Sequence, residues 1–133
     1  MNQGFKFVAV AAARALSEKK AEDVALLNVG RTSPITDYLL IVTAMSRPHL
    51  ESLEVEADKA TADFGISALH RAKPKSDSWR VIDYGGLLVH LMTAETRDLY
   101  ALEKLYPDAR HLTWRAATAA AAPSKTERTR KKK

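Results

Sequence analysis

Trp79-Arg80-Val81-Ile82-Asp83-Tyr84-Gly85-Gly86-Leu87-Leu88-Val89-His90-Leu91-Met92 is the stretch on which the fold turns. Two runs rich in Val, Ile, Leu and aromatics flank a Gly-Gly pair that accepts positive φ without steric penalty, which is the signal of a β-hairpin with a two-residue primed turn. On the first arm Trp79, Val81 and Asp83 share one face, and Arg80, Ile82 and Tyr84 share the other. On the return arm Leu87, Val89 and Leu91 alternate with Leu88, His90 and Met92. Apolar residues occur on both faces, so the hairpin is expected inside a sheet that is covered on both sides. Asp83, Tyr84 and His90 are the polar exceptions, and they are the first places to look for function.

Working outward, the upstream chain alternates helix and strand signals. Val8, Ala11, Ala12, Ala15 and Leu16 recur at helical spacing until Ser17-Glu18-Lys19-Lys20. Val24–Val29 reads as a strand, Gly30–Pro34 as a turn cluster, and Tyr38–Thr43 as a second strand, apolar enough to be central. Ser46 is placed to cap the next helix, with Pro48 in its first turn. Leu50, Leu53, Ala57, Ala60 and Phe64 form its apolar stripe, Glu51, Glu54, Asp58 and Lys59 its opposite face, and Gly65 its stop. Ile66–His70 is a short expected strand; paired in parallel with Tyr38–Thr43, it would need a right-handed crossover. Downstream of the hairpin, Thr93 caps a helix in which Leu99, Leu102 and Leu105 face inward until Pro107. Arg110–Trp114 offers one further edge strand. The result is one α/β domain over residues 1–115, a mixed sheet of about five strands covered by helices.

Length and charge narrow the functional classes. A chain of 133 residues suits a single core. No run of roughly 18 apolar residues occurs, so no membrane-spanning helix and no membrane partner are expected. The Ala-rich start, broken by Arg14, does not read as a signal peptide. Without cysteine there is no disulfide frame, and a reducing cytoplasm fits. Six basic residues against Glu127 give Ser124–Lys133 the whole +5 of the chain, leaving residues 1–123 neutral. Residues 116–133 therefore read as a disordered basic tail, either a nucleic-acid-attracting arm or a solubiliser.

The chemistry-bearing patterns are sparse. No phosphate-cradling loop occurs, and the four histidines have no metal-ligand spacing. Ser46, His49 and Asp37 could be drawn as a triad, but no nucleophile elbow holds the serine and helix capping explains it better. Asp83 stands without a second acid, as two-metal chemistry would require. Neither cofactor nor metal is expected, and a non-enzymatic binding role suits the residues better. Tyr100, Glu103, Lys104 and Tyr106 fall off the inward leucine stripe and are expected on an outer face, where two tyrosines suit an interface. Trp79 divides evenly between core and surface.

One resemblance extends this reading. Asp23-Val24 through Leu27, Ser33-Pro34-Ile35-Thr36-Asp37-Tyr38, Thr43-Ala44-Met45-Ser46 with His49-Leu50, Trp79 with Asp83-Tyr84-Gly85-Gly86 and Val89-His90, and Arg97-Asp98-Leu99-Tyr100-Ala101-Leu102-Glu103-Lys104-Leu105-Tyr106 follow in order. Together they resemble the ribosomal silencing factor family, also called Iojap-related proteins. The resemblance implies a nucleotidyltransferase-like α/β fold that lacks the transferase's metal-binding acids. It also implies binding to the L-fourteen protein of the large ribosomal subunit, steric blocking of subunit joining, and translation repression when nutrients are short. Trp79, Asp83, Tyr84, His90, Arg97, Tyr100, Glu103, Lys104 and Tyr106 become the expected partner-binding residues. Contact of the basic tail with ribosomal RNA and a homodimer off the ribosome are left open. The chain departs from the family pattern at Ala44-Met45, at Pro48 beside Arg47, at Gly86, and at Lys73-Pro74-Lys75 ahead of the Trp. Two other classes compete, a degenerate nucleotidyltransferase and a general RNA binder acting through the tail.

Overall fold

The structure, a computed structural model, describes residues 2–115. The basic tail expected over 116–133 lies outside the described residues. Helix α1 (Asn2–Glu18) leads into β1 (Glu22–Asn28) and β2 (Tyr38–Ala44), then α2 (Arg47–Ala62), β3 (His70–Arg71), β4 (Trp79–Asp83), β5 (Leu87–Thr93), α3 (Ala94–Tyr100), a 3₁₀ turn (Leu102–Leu105) and β6 (Arg110–His111). The six strands form one mixed sheet in the order β3-β4-β5-β2-β1-β6.

The hairpin forms as its sequence dictates. β4 and β5 pair antiparallel from Trp79↔Met92 to Asp83↔Leu88, and the Tyr84 N–H donates to the Leu87 carbonyl at 2.8 Å across the turn. Gly85 carries the positive φ of 100°. Gly86 is required for a different reason. A Cβ there would sit 2.4 Å from Phe5 ring atoms, because the aromatic ring of α1 lies directly on the turn.

β2 and β5 are parallel neighbours at the centre, in register from Tyr38↔Leu87 to Ala44↔Thr93. β2 is buried along its whole length. Hydrophobic cover lies on both faces, as the two-sided apolar pattern requires. On one face α1 and α2 pack Val8, Ala12, Leu16, Leu50, Leu53 and Ala57 against Leu40, Val42, Ile82, Val89 and Leu91. On the other, Leu102, Tyr106 and Ala109 pack against Leu27, Leu39, Ile41 and Met92. Ser46 caps α2 by accepting from the His49 N–H at 3.1 Å, and Thr93 caps α3 by accepting from the Thr96 N–H at 3.4 Å.

The mixed sheet is the expected one, with the edge strand at Arg110–His111 bringing it to six. Four expectations are corrected. Ile66–His70 is not a strand paired with β2. The Ile66 N–H closes the end of α2 on the Thr61 carbonyl at 3.1 Å, and only His70–Arg71 pair, antiparallel to β4 at the sheet edge. The parallel partner of β2 is β5 instead. Phe64 lies beyond the end of α2, so it leaves the apolar stripe and is exposed. Leu99 and Leu105 are 75 % and 68 % exposed, because Ala101 adopts left-handed backbone at φ 42° and breaks the helix there. A single helical period across Ala94–Tyr106 therefore does not hold, and Leu102 and Tyr106 are the residues that turn inward. Finally, Glu54, placed by helical spacing on the face opposite the apolar stripe, is buried.

Candidate functional site

The sequence-derived residues divide between the two faces of the sheet. On the α1/α2 face, Tyr84 is fully buried and donates to Asp58 Oδ1 at 2.6 Å. It is the end of a chain of charged groups that sequence reading missed. Glu51, Glu54 and Asp58 line one side of α2, and the sheet supplies the cations between them. Arg80 is 5 % exposed and Glu54 7 %; Arg80 bonds Glu54 Oε1 at 2.8 Å and Glu51 Oε2 at 2.9 Å. Arg71 bonds Glu54 Oε2 and Asp58 Oδ2, both at 2.6 Å. Two signals were present. An Arg shares a strand face with Ile82 and Tyr84, and the acids recur at i, i+3 and i+7 on one helix face. Burial foremost, then the Asp58 hydrogen bond and charge, push the Tyr84 phenol far above its ordinary range, so it stays protonated and donating. The hydrogen bond from Arg80 holds the Glu51 carboxyl below its usual value. This network joins α2 to the sheet edge, and Tyr84 is buried within it in the free molecule.

On the opposite face, β4, β5 and α3 bring three of the expected residues together. The Trp79 and Tyr100 rings lie 4.7 Å apart between centroids, tilted by 42°, and the Trp79 and His90 rings 5.9 Å apart. The Trp79 indole N–H donates to His90 Nδ1 at 2.9 Å. Tyr100 keeps an exposed outer surface, and Trp79 is half-buried beneath it. Leu99 and Leu105, released from the core by the break at Ala101, add apolar surface on the same segment. Exposed apolar side chains gathered in this way commonly mark interaction sites.

Arg97 and Glu103 pair with each other and hold this segment to the sheet. The Arg97 guanidinium is mostly buried; it donates to Thr43 Oγ1 at 3.0 Å, to the Asp23 carbonyl, and to Glu103 Oε2 at 2.5 Å. Burial tends to raise the Glu103 pKa, and the Arg97 hydrogen bond and charge outweigh that and hold it low. The expectation that Glu103 and Tyr106 lie free on an outer face is thus corrected, since Glu103 is paired and Tyr106 packs inward. Lys104 is exposed as expected. Asp83 accepts from the Gly85 N–H at 2.8 Å and serves the hairpin turn. Among the described residues no three His, Asp or Glu side chains converge to hold a metal ion. His49 is also accounted for, with Nδ1 accepting from the Met45 N–H at 2.9 Å and Nε2 2.8 Å from the Lys19 carbonyl.

Desolvation pulls the His90 pKa down to about 4. Protonation would also repel the indole N–H that Nδ1 accepts. The folded value lies below the unfolded one of roughly 6.5. As pH falls from about 6.5 toward 4, the unfolded chain takes up a proton that the folded chain refuses, and stability declines by about 3 kcal/mol over that window. Urea unfolding at pH 7 and pH 4 should show His90→Asn losing less stability than wild type over this interval. Equal losses would show that His90 is not buried neutral.

A family model described as "Ribosomal silencing factor during starvation" matches residues 3–133. The ribosomal silencing factor of Treponema pallidum is 35 % identical over 102 residues, covering 75 % of this chain and 90 % of that protein. A mouse protein named for mitochondrial assembly of the ribosomal large subunit is 30 % identical over 94 residues, which is 68 % of this chain and 41 % of its own. In fold, a crystal structure from Chromobacterium violaceum superposes with a TM-score of 0.72 at 22 % identity, covering 77 % of this chain and 85 % of that one.

Proposed function

This chain belongs to the ribosomal silencing factor family, and from that premise we propose that it binds the large ribosomal subunit through its L-fourteen protein and keeps the small subunit from joining. Translation is thereby repressed when nutrients are limiting. The action requires occupancy only, so no catalytic group is needed, and its place is the cytoplasm. The observation that carries this reading is the open aromatic corner of Trp79 and Tyr100, on a segment that also exposes Leu99 and Leu105. Such a corner offers rigid rings of the kind that dominate protein interfaces, on a segment that Arg97 fixes to two strands. The mouse relative's name, which specifies the large subunit, supports that choice of subunit. The basic residues of Ser124–Lys133 contribute an attraction to ribosomal RNA that is general and salt-dependent.

Co-sedimentation with separated ribosomal subunits tests this. The protein should pellet with the large subunit and remain in the supernatant with the small one. Removing Ser124–Lys133 should flatten the salt dependence of binding while leaving the subunit preference intact. Loss of that preference on truncation would assign specificity to the tail rather than to the domain.

A further inference from the structure

We propose that His90 is the polar anchor of the aromatic corner, its Nε2–H donating a hydrogen bond to an acceptor oxygen of the bound partner protein. The proposal rests on the reading of that corner as the partner surface. An indole nitrogen can only donate, and that of Trp79 lies 2.9 Å from His90 Nδ1. Nδ1 is therefore the bare, accepting nitrogen. In a neutral imidazole the proton then resides on Nε2, which becomes a donor.

Among the described residues nothing accepts from that donor. The side chain is only 9 % exposed. Its register neighbours are Ile41 on β2 and Val81 on β4, and Leu88 and Met92 share its face of β5. Ile41, Val81 and Leu88 offer no acceptor, and the Met92 thioether is only a weak one. A donor this deeply placed in a protein ordinarily has a partner. Here the free molecule supplies none, while the imidazole lies one ring away from the Trp79–Tyr100 pair.

The energetics favour a bond made on binding. Most of the desolvation of Nε2–H has already occurred in the free protein, so an arriving acceptor gains the bond without that loss. The aromatic rings provide contact area with little directional preference. A single fixed donor beside them gives register, selecting a partner that presents an oxygen at that point. The Trp79 hydrogen bond thus does more than support packing: it sets the tautomer that faces the partner.

Full-length wild type, His90→Asn and Tyr100→Ala are compared for affinity to separated large subunits, with folding verified by circular dichroism. Asparagine keeps an oxygen where Nδ1 lies and places nothing at Nε2. His90→Asn should bind roughly tenfold more weakly or worse. Wild-type affinity in folded His90→Asn overturns the proposal. If Tyr100→Ala is then weakened, only the anchor is wrong; if both variants bind normally, the surface reading falls with it. Should His90→Asn fail to fold, nitrogen NMR of the wild-type imidazole decides. An Nε2-protonated tautomer whose proton is shielded from water exchange on adding large subunits supports the anchor. An Nδ1-protonated ring, or an Nε2–H whose exchange is unchanged by the subunits, overturns it.

Discussion

Glu54→Ala should lower the melting temperature by roughly 10–20 °C, the equivalent of about 3–5 kcal/mol. Glu54 is the shared carboxylate of the network, bonded by Arg80 through one oxygen and by Arg71 through the other. Its removal leaves Arg80, buried on the helix-facing side of β4, with only Glu51 at the solvent edge and the Ser76 carbonyl. A buried guanidinium that loses its counter-ion retains its full desolvation, and that asymmetry sets the size of the effect. Glu51→Ala, which removes an exposed carboxylate, should have a much smaller effect. The double replacement Arg80→Met with Glu54→Leu removes both buried charges and should recover most of the loss, with Arg71 still held by Asp58. Thermal unfolding of the three variants decides the matter. A melting temperature for Glu54→Ala near that of wild type would mean the network is not the joint between α2 and the sheet edge.

The second large effect is on binding. Tyr100→Ala should weaken large-subunit binding by roughly thirtyfold, since truncating an interface aromatic commonly costs about 2 kcal/mol. Its outer surface is exposed, so the fold loses only the stacking contact with Trp79 and the melting temperature should change little. Leu102→Ala should show the reverse, because Leu102 packs beneath the sheet; being only half-buried, it opens a smaller void than a core leucine. Leu99→Ser and Leu105→Ser should weaken binding without lowering stability, as both side chains face solvent. Glu103→Lys tests the correction made by the structure. It breaks the Arg97 pair and should destabilise the segment at any salt concentration, where a rim contact would instead fade with salt. Affinity plotted against melting temperature separates these cases. If Tyr100→Ala unfolds the protein, or binds as well as wild type, the partner surface lies elsewhere.

These variants also mark where sequence sufficed. The hairpin, the caps at Ser46 and Thr93, and the central place of β2 follow from local signals: a Gly-Gly turn, a hydroxyl ahead of a helix, an unbroken apolar run. Failures came where a distant residue decided. Glu54 is polar on an outer stripe by periodicity, and only Arg80 and Arg71, arriving from the sheet, make its burial tolerable. Tyr84 looked like a polar exception on an apolar strand, and Asp58 on α2 satisfies its hydroxyl. The break at Ala101 has no local signature, because alanine rarely adopts left-handed backbone. That one residue turned Leu99 and Leu105 outward and Tyr106 inward. Of the expected partner residues, Trp79, His90 and Tyr100 come together, Lys104 stays exposed, Arg97 and Glu103 serve as supports, and Asp83, Tyr84 and Tyr106 serve the fold. Polarity alone could not separate those roles. The separation depends on which face of β4 each residue occupies and on where α3 ends.

Subunit joining followed by light scattering is the most direct test of occupancy of the joining face. Large subunits are incubated with the protein and then mixed with small subunits. Wild type should suppress the rise in scattering in proportion to the large subunits occupied, and Tyr100→Ala at the same concentration should restore it. Normal joining at concentrations where co-sedimentation shows the large subunit saturated would contradict the claim that this chain acts by occupying the joining face.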